Sequence, residues 1–171
     1  GHTLSYRHLL RHSLAIAQVL RPLLGAGQAP VVGICLGKSV GLYASILATL
    51  GCVEPGHPLP RQRAMLENAG ALVLLDDGQH PLRAHFMAVD VSHIDSQDID
   101  DSTPLTLTSP SADSACMVFY TSGTTGQPKG VLLSQHNLAH FSAWYSQYVE
   151  LSECSRVLQF SSLSFDSSLI D

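Results

Sequence analysis

Residues 120–130 read YTSGTTGQPKG, which sets four Ser and Thr hydroxyls, three glycines and one lysine between the apolar runs CMVF and VLL. Gly123, Gly126 and Gly130 permit positive φ, so successive N–H groups can turn inward as an anion-binding nest. Thr121, Ser122, Thr124 and Thr125 add hydroxyl donors, and Lys129 adds a positive charge. Pro128, with its fixed φ, stiffens the loop just before the lysine. That combination suits phosphate. A plain Ser/Thr/Gly-rich hairpin is the other reading of the same residues, and local composition leaves both open.

Other groupings meet their chemistry less well. GICLGKS at 33–39 ends like a Walker A loop, but only three residues separate its glycines and Val32 stands where the first glycine should be. Lys38 therefore reads as an incidental side chain on a strand-to-helix turn. Ser122 has Tyr120 where a nucleophile elbow needs glycine. His136 and His140 share a helical face, yet HNLAH lacks the glutamate of a zinc protease helix. Asp95, Asp98, Asp100 and Asp101 miss the EF-hand spacing and its glycine. No catalytic and no metal-ligating residue is assigned.

The elements that must position the loop follow from the apolar pattern. The chain has 171 residues, 45% of them hydrophobic and 13% charged, enough to bury one core of ordinary domain size. Leu9, Ile16, Leu20 and Leu23 share a helical face, closed by Pro22 and the glycines at 25 and 27. VVGICL at 31–36 is read as a buried strand. Val40, Tyr43, Ile46, Leu47 and Leu50 give a second helix, RQRAMLENAG a third stopped by Gly70, and ALVLL at 71–75 another buried strand. This alternation predicts an α/β architecture with a largely parallel sheet. Residues 90–115 form an acidic Ser/Thr/Pro-rich stretch, expected to be a surface loop or linker. CMVFY and VLL flank the quoted loop as short strands, so it is expected to join a hairpin and not to open a helix. Ser134 is expected to cap a helix running through Leu138, Phe141, Tyr145 and Tyr148, and VLQF at 157–160 is read as a further strand.

Nine Lys and Arg against fourteen Asp and Glu, a formal charge of -5, leave no electrostatic footprint for nucleic acid. The longest uncharged stretch, Ser39 to Val53, is too short to span a membrane. Four scattered cysteines without a C-x-x-C pair fit a reducing, cytoplasmic setting.

YTSGTTGQPKG resembles the phosphate-binding signature of the adenylate-forming enzymes, almost position for position. LSYRHL at 4–9 and EPGHPLPR at 54–61 resemble segments of one branch, the amino-acid adenylation domains of non-ribosomal peptide synthetases. MLENAGALVLL at 65–75 and LQFSSLSFDSS at 158–168 extend the match along nearly the whole chain. The resemblance implies the N-terminal region of the adenylate-forming fold, mixed sheets flanked by helices, with residues 1–171 an incomplete part of one AMP-binding adenylation domain.

It also implies roles. Thr121, Ser122, Gly123, Thr124, Thr125, Gly126 and Lys129 would hold the β and γ phosphates of ATP, with Mg2+ sharing the charge. Asp166 would pair with the α-ammonium of an amino acid substrate, a contact worth ~4 kcal/mol at about 4 Å before desolvation. A helix cap is the alternative role for Asp166. Ser167 and Ile170 would line the side-chain pocket. The implied partners are a carrier domain bearing phosphopantetheine and neighbouring synthetase domains, with neither nucleic acid nor membrane.

Two departures from the family pattern are local, and a larger one concerns its later motifs. Only GCV separates Leu50 from Glu54, where the family runs longer, and Gln135 replaces the usual His. The family's adenine, ribose and late-lysine motifs have no counterpart in these residues, so the isolated chain is expected to show little or no adenylation. An acyl- or aryl-CoA synthetase piece and a non-catalytic relic are the alternatives.

Overall fold

Val73, Leu74 and Leu75 are all fully buried, although successive side chains of a strand point to opposite faces. Their sheet must therefore be covered on both sides. The computed structural model, which describes residues 3–25, 30–49, 57–100, 111–121, 128–163 and 168, shows how. Helix α1 (Tyr6–Leu24), strand β1 (Val31–Ile34), helices α2 (Val40–Thr49) and α3 (Leu59–Ala69), and strands β2 (Ala71–Asp76) and β3 (Met87–Asp90) come first. A hairpin of β4 (Ala115–Thr121) and β5 (Lys129–Ser134) follows, then helix α4 (Gln135–Tyr148).

Strands β1, β2 and β3 form a parallel sheet in that order, with Ile34 opposite Leu75 and Leu75 opposite Val89. Ile16 and Leu20 of α1 and Leu42 and Ala44 of α2 pack with Val73 and Leu75 on one face. On the other, Met65 and Leu66 of α3 pack with Leu74, Leu82 and Tyr120. Gly33 makes the second packing possible, because a Cβ there would meet the Leu66 side chain closer than real Cβ atoms approach. Asp76, at the end of β2, is fully buried and paired with Arg83.

The helix signals are local and are obeyed. Ser5 caps α1 by accepting from the His8 N–H at 3.2 Å. Gly70, with φ +67°, ends α3 in the left-handed conformation that glycine adopts without penalty. Ser134 and Asn137 form a reciprocal capping box at the start of α4. Pro22, expected to close the first helix, lies inside it. Its missing N–H costs only one bond of the last turn, and the stop is made by Gly25 at φ +68°.

Three further expectations are corrected. The buried face of α2 is Leu42, Ala44 and Ser45, while Leu47 is 45% exposed. That helix is apolar nearly all round, so periodicity could not select its inner face, and the small residues allow the closer approach. The acidic stretch after Asp90 is not simply a surface loop, because Val91 and Ile99 are buried and Arg11 of α1 donates to the carbonyls of Ser96 and Ile99. VLQF at 157–160 forms no strand; its main chain is held by other means described below.

The shortened segment between Leu50 and Glu54 lies outside the described residues. Among the described residues, no helix is long and apolar enough to cross a membrane.

Candidate functional site

The phosphate-type loop leaves from the open end of the antiparallel pair β4 and β5. Thr121 stands opposite Lys129 and Tyr120 opposite Gly130, which confirms the expected hairpin geometry. Thr121 Oγ1 lies 3.5 Å from the Lys129 carbonyl across the mouth, and both residues are exposed. Thr121 and Lys129 are thus brought together as facing posts. Ser122, Gly123, Thr124, Thr125 and Gly126 lie outside the described residues, as do Asp166, Ser167 and Ile170.

Tyr120 fixes the hairpin to the body of the chain. Its buried hydroxyl donates to the Met65 carbonyl at 2.8 Å and lies 2.9 Å from Asn68 Oδ1, so β4 is tied to α3 one residue before the loop begins. Burial also pushes the Tyr120 phenol above its ordinary pKa, which keeps the donating proton in place. Gly130 serves this anchor differently from the expected positive φ, which it does not adopt. A Cβ on Gly130 would come within 3.3 Å of the Tyr120 ring and 3.2 Å of Val118 Cγ1. The glycine is needed to let the aromatic ring lie across the neighbouring strand.

At the base of the hairpin, the N–H groups of Gln135 and His136 donate to Ser114 and Ala112 carbonyls at 2.9 Å each. The capping box then launches α4, which carries a ladder of Phe141, Trp144, Tyr145 and Tyr148 rings, the first and third half-buried and the other two exposed. His136 and His140 are exposed, with ring centroids 6.2 Å apart. Among the described residues, no group of three His, Cys, Asp or Glu side chains converges on a metal-sized position. Asp95 is hydrogen-bonded by Ser96, which lowers its pKa, and Asp90 is lowered in the same way by Ser92. Both are local turn contacts of the acidic stretch.

Sequence reasoning missed two residues near the route to Asp166. Lys38, read as incidental, places Nζ 3.2 Å from the Gln159 carbonyl and 2.9 Å from that of Phe160. Tyr43 donates its hydroxyl to Gln159 Oε1 at 3.2 Å. Ser39 of the same GKS run accepts the Leu42 N–H at 3.2 Å, as a helix cap does. The motif caps a helix and clasps a distant segment, and neither function depends on phosphate.

The family model described as AMP-binding enzyme matches residues 1–171. The chain belongs to the AMP-binding enzyme family. Among relatives of this AMP-binding chain, nonribosomal peptide synthetase ecdA of Aspergillus rugulosus is 36% identical over 180 residues, covering 98% of this chain and 2% of that protein. Bacitracin synthase 3 of Bacillus licheniformis is 32% identical over 174 residues, 98% of this chain and 3% of the synthase. The chain therefore spans a small part of the length of the synthetases it matches.

The N-terminal subdomain of NpsA from Klebsiella oxytoca, solved in complex with 3-hydroxyanthranilyl-AMSN, superposes with a TM-score of 0.80. That match covers 99% of this chain and 43% of the NpsA chain at 24% identity, and it bears on the fold. The chain accordingly shares the fold of that subdomain.

Proposed function

We propose that this chain supplies the phosphate-holding loop and one wall of the substrate pocket of an amino-acid adenylation domain. In that reaction a carboxylate oxygen of the amino acid attacks the α-phosphorus of ATP, the bond to the bridging oxygen breaks, and pyrophosphate leaves. The phosphopantetheine thiol of a carrier domain in the same synthetase then attacks the acyl carbon of the aminoacyl-adenylate, losing its proton as the acyl–phosphate bond breaks and AMP leaves. The observation that carries this reading is the hairpin, which stands Thr121 opposite Lys129 on a base tied down through Tyr120.

Each residue has a physical task. The hydroxyls of Thr121, Ser122, Thr124 and Thr125, the N–H groups around Gly123 and Gly126, and the Lys129 ammonium offset charge on the β and γ phosphates as pyrophosphate departs. Lys129 has no carboxylate partner among the described residues, so its charge is available to an anion. Mg2+ keeps most of its waters and binds largely through substrate phosphates, so it would arrive on the nucleotide. Asp166 receives the substrate ammonium, and Ser167 and Ile170 shape the side-chain pocket. Holding the carboxylate in line with the α-phosphate contributes much of the rate, because a carboxylate is a weak nucleophile.

Titrating magnesium pyrophosphate into the chain tests the loop directly. Binding is expected, and Lys129→Ala should weaken it by about tenfold or more, the effect of losing a charge-assisted hydrogen bond of ~1.5–3 kcal/mol. Equal affinity in parent and variant would defeat the assignment. Amino-acid-dependent exchange of labelled pyrophosphate into ATP by these 171 residues alone is expected to be very low. In an adenylating protein that carries them, Asp166→Ala should abolish exchange with amino acids. Exchange driven by an acyl or aryl acid and unaffected by Asp166→Ala would favour that acid class as substrate.

A further inference from the structure

Residues 157–160 keep their place although Val157, Leu158 and Phe160 are all exposed. Leu158 is 77% exposed and Phe160 is 80% exposed, so apolar packing does not hold the main chain between them. Polar contacts from a distant corner do. Lys38 Nζ donates to the carbonyls of Gln159 and Phe160, and the Tyr43 hydroxyl donates to the Gln159 side chain. Gln159 Nε2 turns back to the Ser161 carbonyl at 2.6 Å, which stiffens the same turn. Beyond it, Leu163 packs against the core that includes Ile16 and Leu42.

The corner that makes these contacts is itself fixed. Ser39 accepts the Leu42 N–H, so the start of α2 is set, and Lys38 and Tyr43 flank that first turn. β1, just before it, lies in the sheet against β2. Lys38 is therefore mounted between a paired strand and a capped helix start. Its two bonds are charge-assisted, which makes them the strongest of the set.

Asp166 follows Leu163 by three residues, at most about 10 Å of extended chain. We infer that Lys38 is a positioning residue for substrate ammonium binding: it fixes the main chain of Gln159 and Phe160, and with it the take-off of the segment that carries Asp166. Lys38 touches neither substrate nor nucleotide in this scheme. The inference rests on the role proposed above for Asp166. An ion pair is sensitive to where its carboxylate starts, so loosening this take-off lowers affinity for the amino acid without altering the phosphate loop.

Hydrogen exchange on the chain and kinetics in an adenylating protein that carries it separate this inference from the function on which it rests. Lys38→Met should speed exchange of amides in 157–163 by about tenfold and leave those of β4 unchanged, because Lys38 contributes nothing to the hairpin. Tyr43→Phe, which removes the second tether, should act in the same direction with a smaller effect. Lys38→Arg should restore protection, since a guanidinium can also donate to two carbonyls. In the kinetic arm, Lys38→Met should raise the KM for the amino acid by about tenfold, with kcat and the KM for ATP within about twofold, and Lys38→Arg should recover most of it. Unchanged exchange in 157–163 or an unchanged amino acid KM in Lys38→Met would overturn the positioning role. A parent that activates no amino acid would instead overturn the proposed function, and the exchange arm would still judge the tether.

Discussion

Replacing Tyr120 by Phe removes one oxygen and keeps the ring, so it isolates the bond that ties the hairpin to α3. The ring would still pack with Met65 and Leu66. What is lost is the 2.8 Å bond to the Met65 carbonyl and the 2.9 Å contact with Asn68. Asn68 is exposed and recovers water, whereas Met65 is buried and keeps a less satisfied carbonyl. A net hydrogen bond contributes about 1 kcal/mol, and the unsatisfied carbonyl brings the expected loss to roughly 1–2 kcal/mol. For a chain of this length that corresponds to about 2–8 °C in Tm. Urea denaturation followed by fluorescence of Trp144, the single tryptophan, should show a lower midpoint at unchanged slope.

A pH series sharpens the same test. Burial raises the Tyr120 pKa above its ordinary value of 10.0, so the folded chain holds that proton more tightly than the unfolded one. The associated stability is complete below the unfolded pKa and is lost as pH rises through the folded one. Parent protein should therefore lose stability above about pH 10 more steeply than Tyr120→Phe. Cys116, whose thiol is also raised by burial, contributes equally to both chains and cancels in the comparison. Equal midpoints at neutral pH, or equal alkaline slopes, would refute the anchor.

The remaining predictions concern the frame around the site. Gly33→Ala should cost about 1–3 kcal/mol by overpacking Leu66, and Leu66→Val in the same chain should recover part of that, read as non-additive midpoints in a double-mutant cycle. Arg83→Met leaves the fully buried Asp76 carboxylate without its cation; since the Arg83 side chain is 34% exposed, the expected loss in urea denaturation is about 2–4 kcal/mol, below that of a fully buried pair. Ser134→Ala breaks one half of the capping box and should cost about 1 kcal/mol, with the largest change in exchange rates at the first turn of α4.

Local signals made most of the fold legible. Gly70 after an apolar run, Ser134 before one, and apolar strands on either side of a glycine-rich loop each state their own structure within a few residues. The hairpin posts Thr121 and Lys129 were readable for that reason. What escaped depended on partners remote in sequence. The α2 face could not be chosen from a helix apolar on most sides, and only its neighbours α1 and β1 decide that Ala44 and Ser45 point inward. Val91 and Ile99 were hidden in an acidic stretch, since lone apolar residues show no period. VLQF has strand-forming residues but no ladder partner among the described strands. The tether on Gln159 and Phe160 comes from Lys38, 121 and 122 residues away in the chain.

Tyr120 and Leu163, the described residues that precede the two halves of the proposed site, pack on opposite faces of one sheet. Tyr120, one residue before the proposed phosphate loop, belongs to the cluster with Leu74 on the α3 face. Leu163 packs against the cluster that includes Val73 and Leu75, on the face covered by α1 and α2, and the corner at the start of α2 holds Gln159 through Lys38. Adjacent side chains of β2 thus serve different arms of the site, and the buried sheet is their common reference. Substitutions at Tyr120 and at Lys38 share no partner, so their energetic effects should add. A large-to-small substitution at Leu74 removes packing under Tyr120, and one at Val73 or Leu75 removes packing on the Leu163 face, so an effect on the other arm must pass through the main chain of β2. The order in which pyrophosphate and amino acid affinities fail across such variants therefore distinguishes one rigid platform from two independent sites.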